Sequence, residues 1–157
     1  MISLPELDYS DKDRFYDDLR LSAKGLVLDE SDRIANFANL AALIYHSLPD
    51  INWAGFYLLK NGELVVGPFQ GKPACVRIRL GEGVCGTAAK DLKTLVVDDV
   101  EEFPGHIACD AASRSEIVIP LLRDQQLIGV LDIDAPLPAR FDDQDRKGLE
   151  AVAEILP

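Results

Sequence analysis

Trp53-Ala54-Gly55-Phe56-Tyr57-Leu58-Leu59-Lys60-Asn61-Gly62-Glu63-Leu64-Val65-Val66-Gly67-Pro68-Phe69 is the stretch that decides the fold. Residues 53–59 are rich in aromatic and apolar side chains, and Asn61-Gly62 is the strongest short-range hairpin signal a sequence can carry. Residues 63–69 then return as the partner strand. A hairpin is therefore expected, with Trp53 and Tyr57, four apart, on one face of its first strand.

Upstream of the hairpin the apolar period is helical. Residues 11–28 place Phe15, Leu19 and Leu26 between charges, with Gly25 breaking the pattern. In a second helix, capped by Ser31, the residues Ile34, Phe37, Ala38, Ala41, Ile44, Tyr45 and Leu48 follow three-and-four spacing until Pro49-Asp50 ends it. Downstream the period is mostly two. Residues 75–80 alternate, Val76, Ile78 and Leu80 against Cys75, Arg77 and Arg79. A short helix over 84–92 and strands over 94–97, 116–122 and 127–134 follow, and a last helix begins at Asp142. Two helices, a mostly antiparallel meander of about six strands and a closing helix make an α+β domain with helices packed on a sheet. The expected organisation is a single domain over 1–157, with an N-terminal helical region 1–30 and a core 31–157.

The 157 residues are 48% hydrophobic and 27% charged, which reads as globular, able to build a core without metal or disulfide. A net charge of −11, with basic residues scattered singly, argues against nucleic acid and anionic membranes as partners. No stretch approaches a membrane span, and Met1-Ile2-Ser3-Leu4-Pro5-Glu6 lacks the regions of a signal peptide. A cytoplasmic location is expected, where thiols stay reduced. Three cysteines are then an odd number with no structural framework to build, and the plainest reading is that each is a small buried hydrophobe.

Gly81-Glu82-Gly83-Val84-Cys85-Gly86 spells a dinucleotide fingerprint between a strand and a helix. The arginines of the preceding strand do not suit a buried parallel strand, and the helix is short for a crossover. The glycines instead allow a tight loop and close backbone approach. Zinc drawing on Cys75, Cys85, Cys109 and His106 lacks paired ligand spacing, so no metal is expected. A cysteine hydrolase using His106 and Cys109 has no nucleophile elbow.

The carboxylates say more. Asp132 and Asp134 project from one face of an otherwise apolar strand, where burial would make one of them hold its proton near neutral pH. The plainer alternative puts both at the strand's solvent end. Glu116 opens the adjacent strand and is placed to join them, and Ser113, Arg114 and Ser115 offer donors to a charged ligand. Trp53 and Tyr57 are either core or one wall of a small pocket.

These blocks, Asn52-Trp53-Ala54-Gly55-Phe56-Tyr57, Gly67 through Cys75, Gly83-Val84-Cys85-Gly86-Thr87-Ala88, His106 through Glu116, and Leu131-Asp132-Ile133-Asp134, resemble the signatures of the free methionine-(R)-sulfoxide reductases, which are GAF-domain enzymes. The resemblance runs from about Asp32 to the C-terminus. It implies a single GAF-like domain in which Cys109 is the catalytic cysteine that becomes a sulfenic acid, Cys75 the resolving cysteine, and Cys85 a third cysteine able to form a disulfide. It implies that Glu116, Asp132 and Asp134 line the substrate site, with Trp53 and Tyr57 as the aromatic wall around the substrate's methyl group. No bound cofactor, thioredoxin as the external reductant and a homodimer are what it implies further. Cys75 sharing a strand face with Arg77 and Arg79 would favour its thiolate. The rival from another class is a GAF module that binds a small ligand without catalysis, because one fold hosts many functions.

Overall fold

The computed structural model describes residues 7–105 and 111–156. Its elements are α1 (Lys12–Val27), α2 (Arg33–Ser47), β1 (Trp53–Lys60), β2 (Glu63–Gly71), β3 (Arg77–Arg79), α3 (Gly83–Asp91), β4 (Leu95–Val97), a 3₁₀ turn (Val100–Glu102), β5 (Ser115–Arg123), β6 (Gln126–Ala135) and α4 (Asp143–Ala153). The six strands form one sheet in the order β3-β2-β1-β6-β5-β4, and every pairing is antiparallel. The α+β expectation stands. The Asn61-Gly62 turn has both residues at positive φ, 52° and 85°, the twist that suits a two-residue hairpin.

Strand alternation divides the core into two layers. Ala54 and Phe56 of β1, Ile117, Ile119 and Leu121 of β5, and Leu131, Ile133 and Ala135 of β6 pack beneath α2 and α4, with α1 closing over those helices. The opposite face carries Trp53, Tyr57, Val118 and Val130, covered by α3 through Val84, Cys85, Ala88 and Ala89. Burying a side chain such as Phe56 or Ile133 completely contributes roughly 1.5–3 kcal/mol each, so the sheet anchors the layer beneath α2 and α4.

α1 docks through one carboxylate. Asp145 of α4 is fully buried and accepts hydrogen bonds from Tyr9 (2.5 Å), Tyr16 (2.7 Å), Lys12 (2.9 Å) and the Asp142 amide (2.9 Å), while Arg140 pairs with it at 3.3 Å.

Local differences from the sequence reading have simple causes. Asp32, not Ser31, caps α2 by accepting from the Ala35 amide at 2.9 Å. Gly25 breaks the apolar pattern but not the helix, and α1 runs on to Val27, close to the expected end. The third strand keeps only Arg77–Arg79, because β3 is an edge strand that pairs with β2 alone. Of its predicted apolar face, Ile78 is buried, but Val76 is 61% exposed.

Candidate active site

Register builds the site. Residues directly opposite in antiparallel strands share a face. Asp134 of β6 stands opposite Trp53 of β1 on one side and Glu116 of β5 on the other, so the three form one row across the sheet. In the next row Asp132 lies between Gly55 and Val118. The absence of a side chain at Gly55 is required, since a Cβ there would stand 2.7 Å from Trp53 Cη2 and 2.3 Å from Phe69 Cβ. The indole therefore lies over Gly55, stacked between Phe69 and Tyr57 with ring centroids at 5.2 and 5.9 Å.

The N-terminus of α3 forms the roof. Gly81 and Gly83 adopt positive φ of 89° and 60°, and a Cβ on Gly86 would lie 2.2 Å from the Arg79 carbonyl oxygen. The glycine-rich motif is thus a device for bringing α3 down onto β3, as expected from its spacing. Cys85, in the first turn of α3, points at the carboxylates, and its thiol donates to Glu116 Oε1 at 3.8 Å. The Cys85 Sγ and one carboxylate oxygen each from Glu116 and Asp132 lie within 4.8 Å of one another.

The fourth wall comes from the segment after β2. Trp53 Nε1 donates to the Lys72 carbonyl at 3.1 Å, and the Tyr57 hydroxyl donates to the Cys75 carbonyl at 3.0 Å. The polar tips of the two aromatic residues thereby tie the segment carrying Cys75 over the sheet. Cys75 is disulfide-bonded, and Cys85 is a free thiol. The enclosed space is about 550 Å³ with its open mouth counted, and Trp53, Tyr57, Cys85, Glu116, Asp132 and Asp134 all line it. Ser113 also reaches it and accepts from Asn52 Nδ2 at 3.2 Å.

Burial sets the electrostatics. Glu116 and Asp132 are 7% and 6% exposed. Burial pushes the Glu116 carboxyl well above its usual range, and the neighbouring Asp132 and Asp134 push it further the same way. Asp132 is pushed up by burial to about 6, held back by hydrogen bonding with Cys85 and Glu116. Burial likewise raises the Cys85 thiol, reinforced by Asp132 and Glu116. A helix N-terminus ordinarily favours a thiolate, but here burial and two acids outweigh it. Cys85 is thus a protonated thiol at neutral pH, and the upward shift of Glu116 favours its neutral acid, the form able to donate a proton.

Sequence reasoning placed Trp53, Tyr57, Glu116, Asp132, Asp134 and Ser113 around one ligand, and the structure brings them together. The solvent-end alternative for Asp132 is excluded by its burial. Two of the suggested donors serve the framework instead. Arg114 pairs with Asp99 at 3.0 Å, and the Ser115 hydroxyl donates to the Leu137 carbonyl at 2.6 Å. Cys75 does not share a strand face with Arg77 and Arg79, because the strand starts at Arg77, whose guanidinium pairs with Glu63. Sequence reasoning did not place Cys85 against the carboxylates; the glycine motif that lowers α3 was the available signal. Cys109 and His106 lie outside the described residues.

A GAF domain family model matches residues 34–156. The free methionine-R-sulfoxide reductase of Escherichia coli (strain K12) is 53% identical over 145 residues, covering 92% of this chain and 88% of that protein. The free methionine-R-sulfoxide reductase of Neisseria meningitidis, solved in complex with its substrate, superposes with a TM-score of 0.94 at 45% identity, over 99% of this chain and 93% of that one. The fRMsr of Staphylococcus aureus, also solved in complex with substrate, gives a TM-score of 0.86 at 54% identity, over 89% of this chain and 92% of that one. The chain belongs to the GAF-domain family and, within it, to the free methionine-R-sulfoxide reductases.

Proposed function

We propose that this chain reduces free methionine-(R)-sulfoxide to methionine by cysteine chemistry. The observation that carries the reading is the row of Trp53, Asp134 and Glu116 beside buried Asp132, an aromatic wall facing a cluster of acids. The acids hold the ammonium group of a free amino acid, and Trp53 and Tyr57 pack against its methylsulfinyl end. The Cys109 thiolate attacks the sulfoxide sulfur while the Glu116 carboxyl gives a proton to the sulfoxide oxygen. The S–O bond breaks, the oxygen passes to Cys109 as a sulfenic acid, and methionine leaves with the sulfur reduced by two electrons.

The Cys75 thiol then attacks the sulfenic acid, expelling water and forming a disulfide. That Cys75 is disulfide-bonded while Cys85 remains a free thiol supports Cys75 as the resolving partner of Cys109. The raised Cys85 thiol is a poor attacking group, which supports the same choice. Thioredoxin returns the disulfide to two thiols by exchange, in a cytoplasmic homodimer that carries no bound cofactor. Among the described residues no helix is long and apolar enough to cross a membrane.

A single-turnover experiment tests the chemistry. Fully reduced protein mixed with excess free methionine-(R)-sulfoxide, without reductant, should release one methionine per chain and lose two titratable thiols. Methionine release with no thiol loss contradicts the cysteine mechanism. No release at all returns the chain to a ligand-binding GAF module.

A further inference from the structure

We propose that Cys85, Glu116 and Asp132 form a binding site for a thiophilic divalent cation, zinc being the probe of choice, and that its occupation closes the pocket to substrate. The second half rests on the reductase reading; the site itself does not.

The three ligand atoms come from three elements, α3, β5 and β6, held by the sheet register and by the close approach of Gly86 to Arg79. They lie within 4.8 Å of one another, with the Cys85 Sγ and Glu116 Oε1 at 3.8 Å. A single ion roughly 2.0–2.3 Å from each ligand fits the 3.8 Å pair directly, and the third ligand need close in only slightly to complete the set. All three residues are more than nine-tenths buried. Asp132 Oδ1, lining the pocket, has no hydrogen-bond partner among the described residues. A buried carboxylate oxygen left without a hydrogen-bond donor is costly, and a cation bound beside it would offset that cost. The charged groups acting on Glu116, Asp132 and Asp134, are both acids, so the surroundings of this carboxyl favour a cation.

The ligand set selects the metal. One sulfur and two carboxylate oxygens favour zinc, or cobalt as its spectroscopic stand-in, over magnesium, which prefers an octahedral oxygen shell and keeps its waters. Three protein ligands leave the fourth tetrahedral position facing the open pocket. Binding displaces the thiol proton of Cys85, and any proton on the Glu116 carboxyl, to solvent. The ion then occupies the space between the acids and Trp53 where the amino acid's cationic end would sit.

Full-length protein in its disulfide form isolates the site, since Cys85 is then the free thiol among the described residues. Titration with cobalt should give a thiolate-to-cobalt charge-transfer band saturating at one equivalent, bleached by equimolar zinc and untouched by excess magnesium. Cys85→Ser should abolish the band. Asp132→Asn should weaken zinc binding by at least ~10-fold, since even groups behind the ligands cost ~10–100-fold when lost. No band in the parent protein, or the same band in Cys85→Ser, overturns the site. The coupled readings separate cleanly. A cobalt band in protein that turns over neither sulfoxide keeps the site and removes the reductase. Turnover in protein without the band does the reverse. In an active enzyme, zinc should raise the apparent KM for sulfoxide and leave kcat unchanged; a fall in kcat alone overturns pocket closure.

Discussion

Glu116 and Asp134 stand directly opposite each other across β5 and β6, two carboxylates on one face with Trp53 completing the row. Their closeness has a chemical consequence. Two carboxyls in a pocket of this kind do not both ionise readily, and burial of Glu116 shifts it toward its protonated form.

Glu116→Gln removes that proton while preserving shape. Since a positioned acid contributes roughly 10²- to 10⁴-fold, kcat should fall by about that factor. Asp134→Asn should also weaken catalysis strongly by loosening the grip on the ammonium group. Thermal unfolding should show both variants folded. Near-normal steady-state rates in both would assign these carboxylates to the framework.

The cysteines are separable by what stops. Cys109→Ser should abolish methionine production. Cys75→Ser should release about one methionine per chain and then stall, with a trappable sulfenic acid. If Cys75→Ser instead cycles normally with thioredoxin, Cys85 is the resolver and its buried, protonated state does not hold through the cycle.

Tyr57 is predicted to act at the same step from behind. Its hydroxyl holds the Cys75 carbonyl at 3.0 Å. Tyr57→Phe keeps the ring and deletes that tie, and a lost hydrogen bond of about 1 kcal/mol corresponds to roughly fivefold in rate. Disulfide formation, followed by thiol loss after a single turnover, should slow by about that factor more than methionine release does. Equal slowing of both steps would mean that Tyr57 serves substrate binding alone.

Asp145 makes part of the fold's stability sensitive to acid. Burial pushes its carboxyl up, but hydrogen bonds from Lys12, Tyr9, the Asp142 amide and Tyr16 overcome this and bring it from 3.8 down to about 2. A depressed carboxyl stabilises the fold fully above its unfolded value and loses that contribution as pH falls through its folded one. Stability from this group should therefore be constant near neutrality and drain away from about pH 4 toward pH 2. Asp145→Asn breaks a buried charge network and should cost about 3 kcal/mol at pH 7. The gap in unfolding free energy between the two proteins should narrow over that acid window; a gap that stays constant down to pH 2 contradicts the assignment.

The parts of this fold that sequence reveals are those whose periodicity is local. The Asn61-Gly62 turn specifies the β1–β2 hairpin, and alternation through residues 127–134 puts Asp132 and Asp134 on one face. What stayed hidden depends on contacts distant in sequence. Asp145 lies 129 residues from Tyr16, so nothing near either residue announces their hydrogen bond. Cys85 meets Glu116 because Gly86 lets α3 approach Arg79, a closeness that glycine spacing hints at but does not aim. Arg114 and Ser115 read as ligand donors because their partners, Asp99 and Leu137, are supplied by loops with no periodicity. The third strand was overextended because alternation cannot tell an edge strand of three residues from the chain that continues beyond it.

The most direct test follows NADPH consumption in a thioredoxin and thioredoxin reductase couple, offering free methionine-(R)-sulfoxide and the (S) form in parallel to fully reduced protein. Reduction of free methionine-(R)-sulfoxide predicts turnover on the (R) form and none on the (S) form. No turnover with either, in protein whose thiols titrate as reduced, would contradict it.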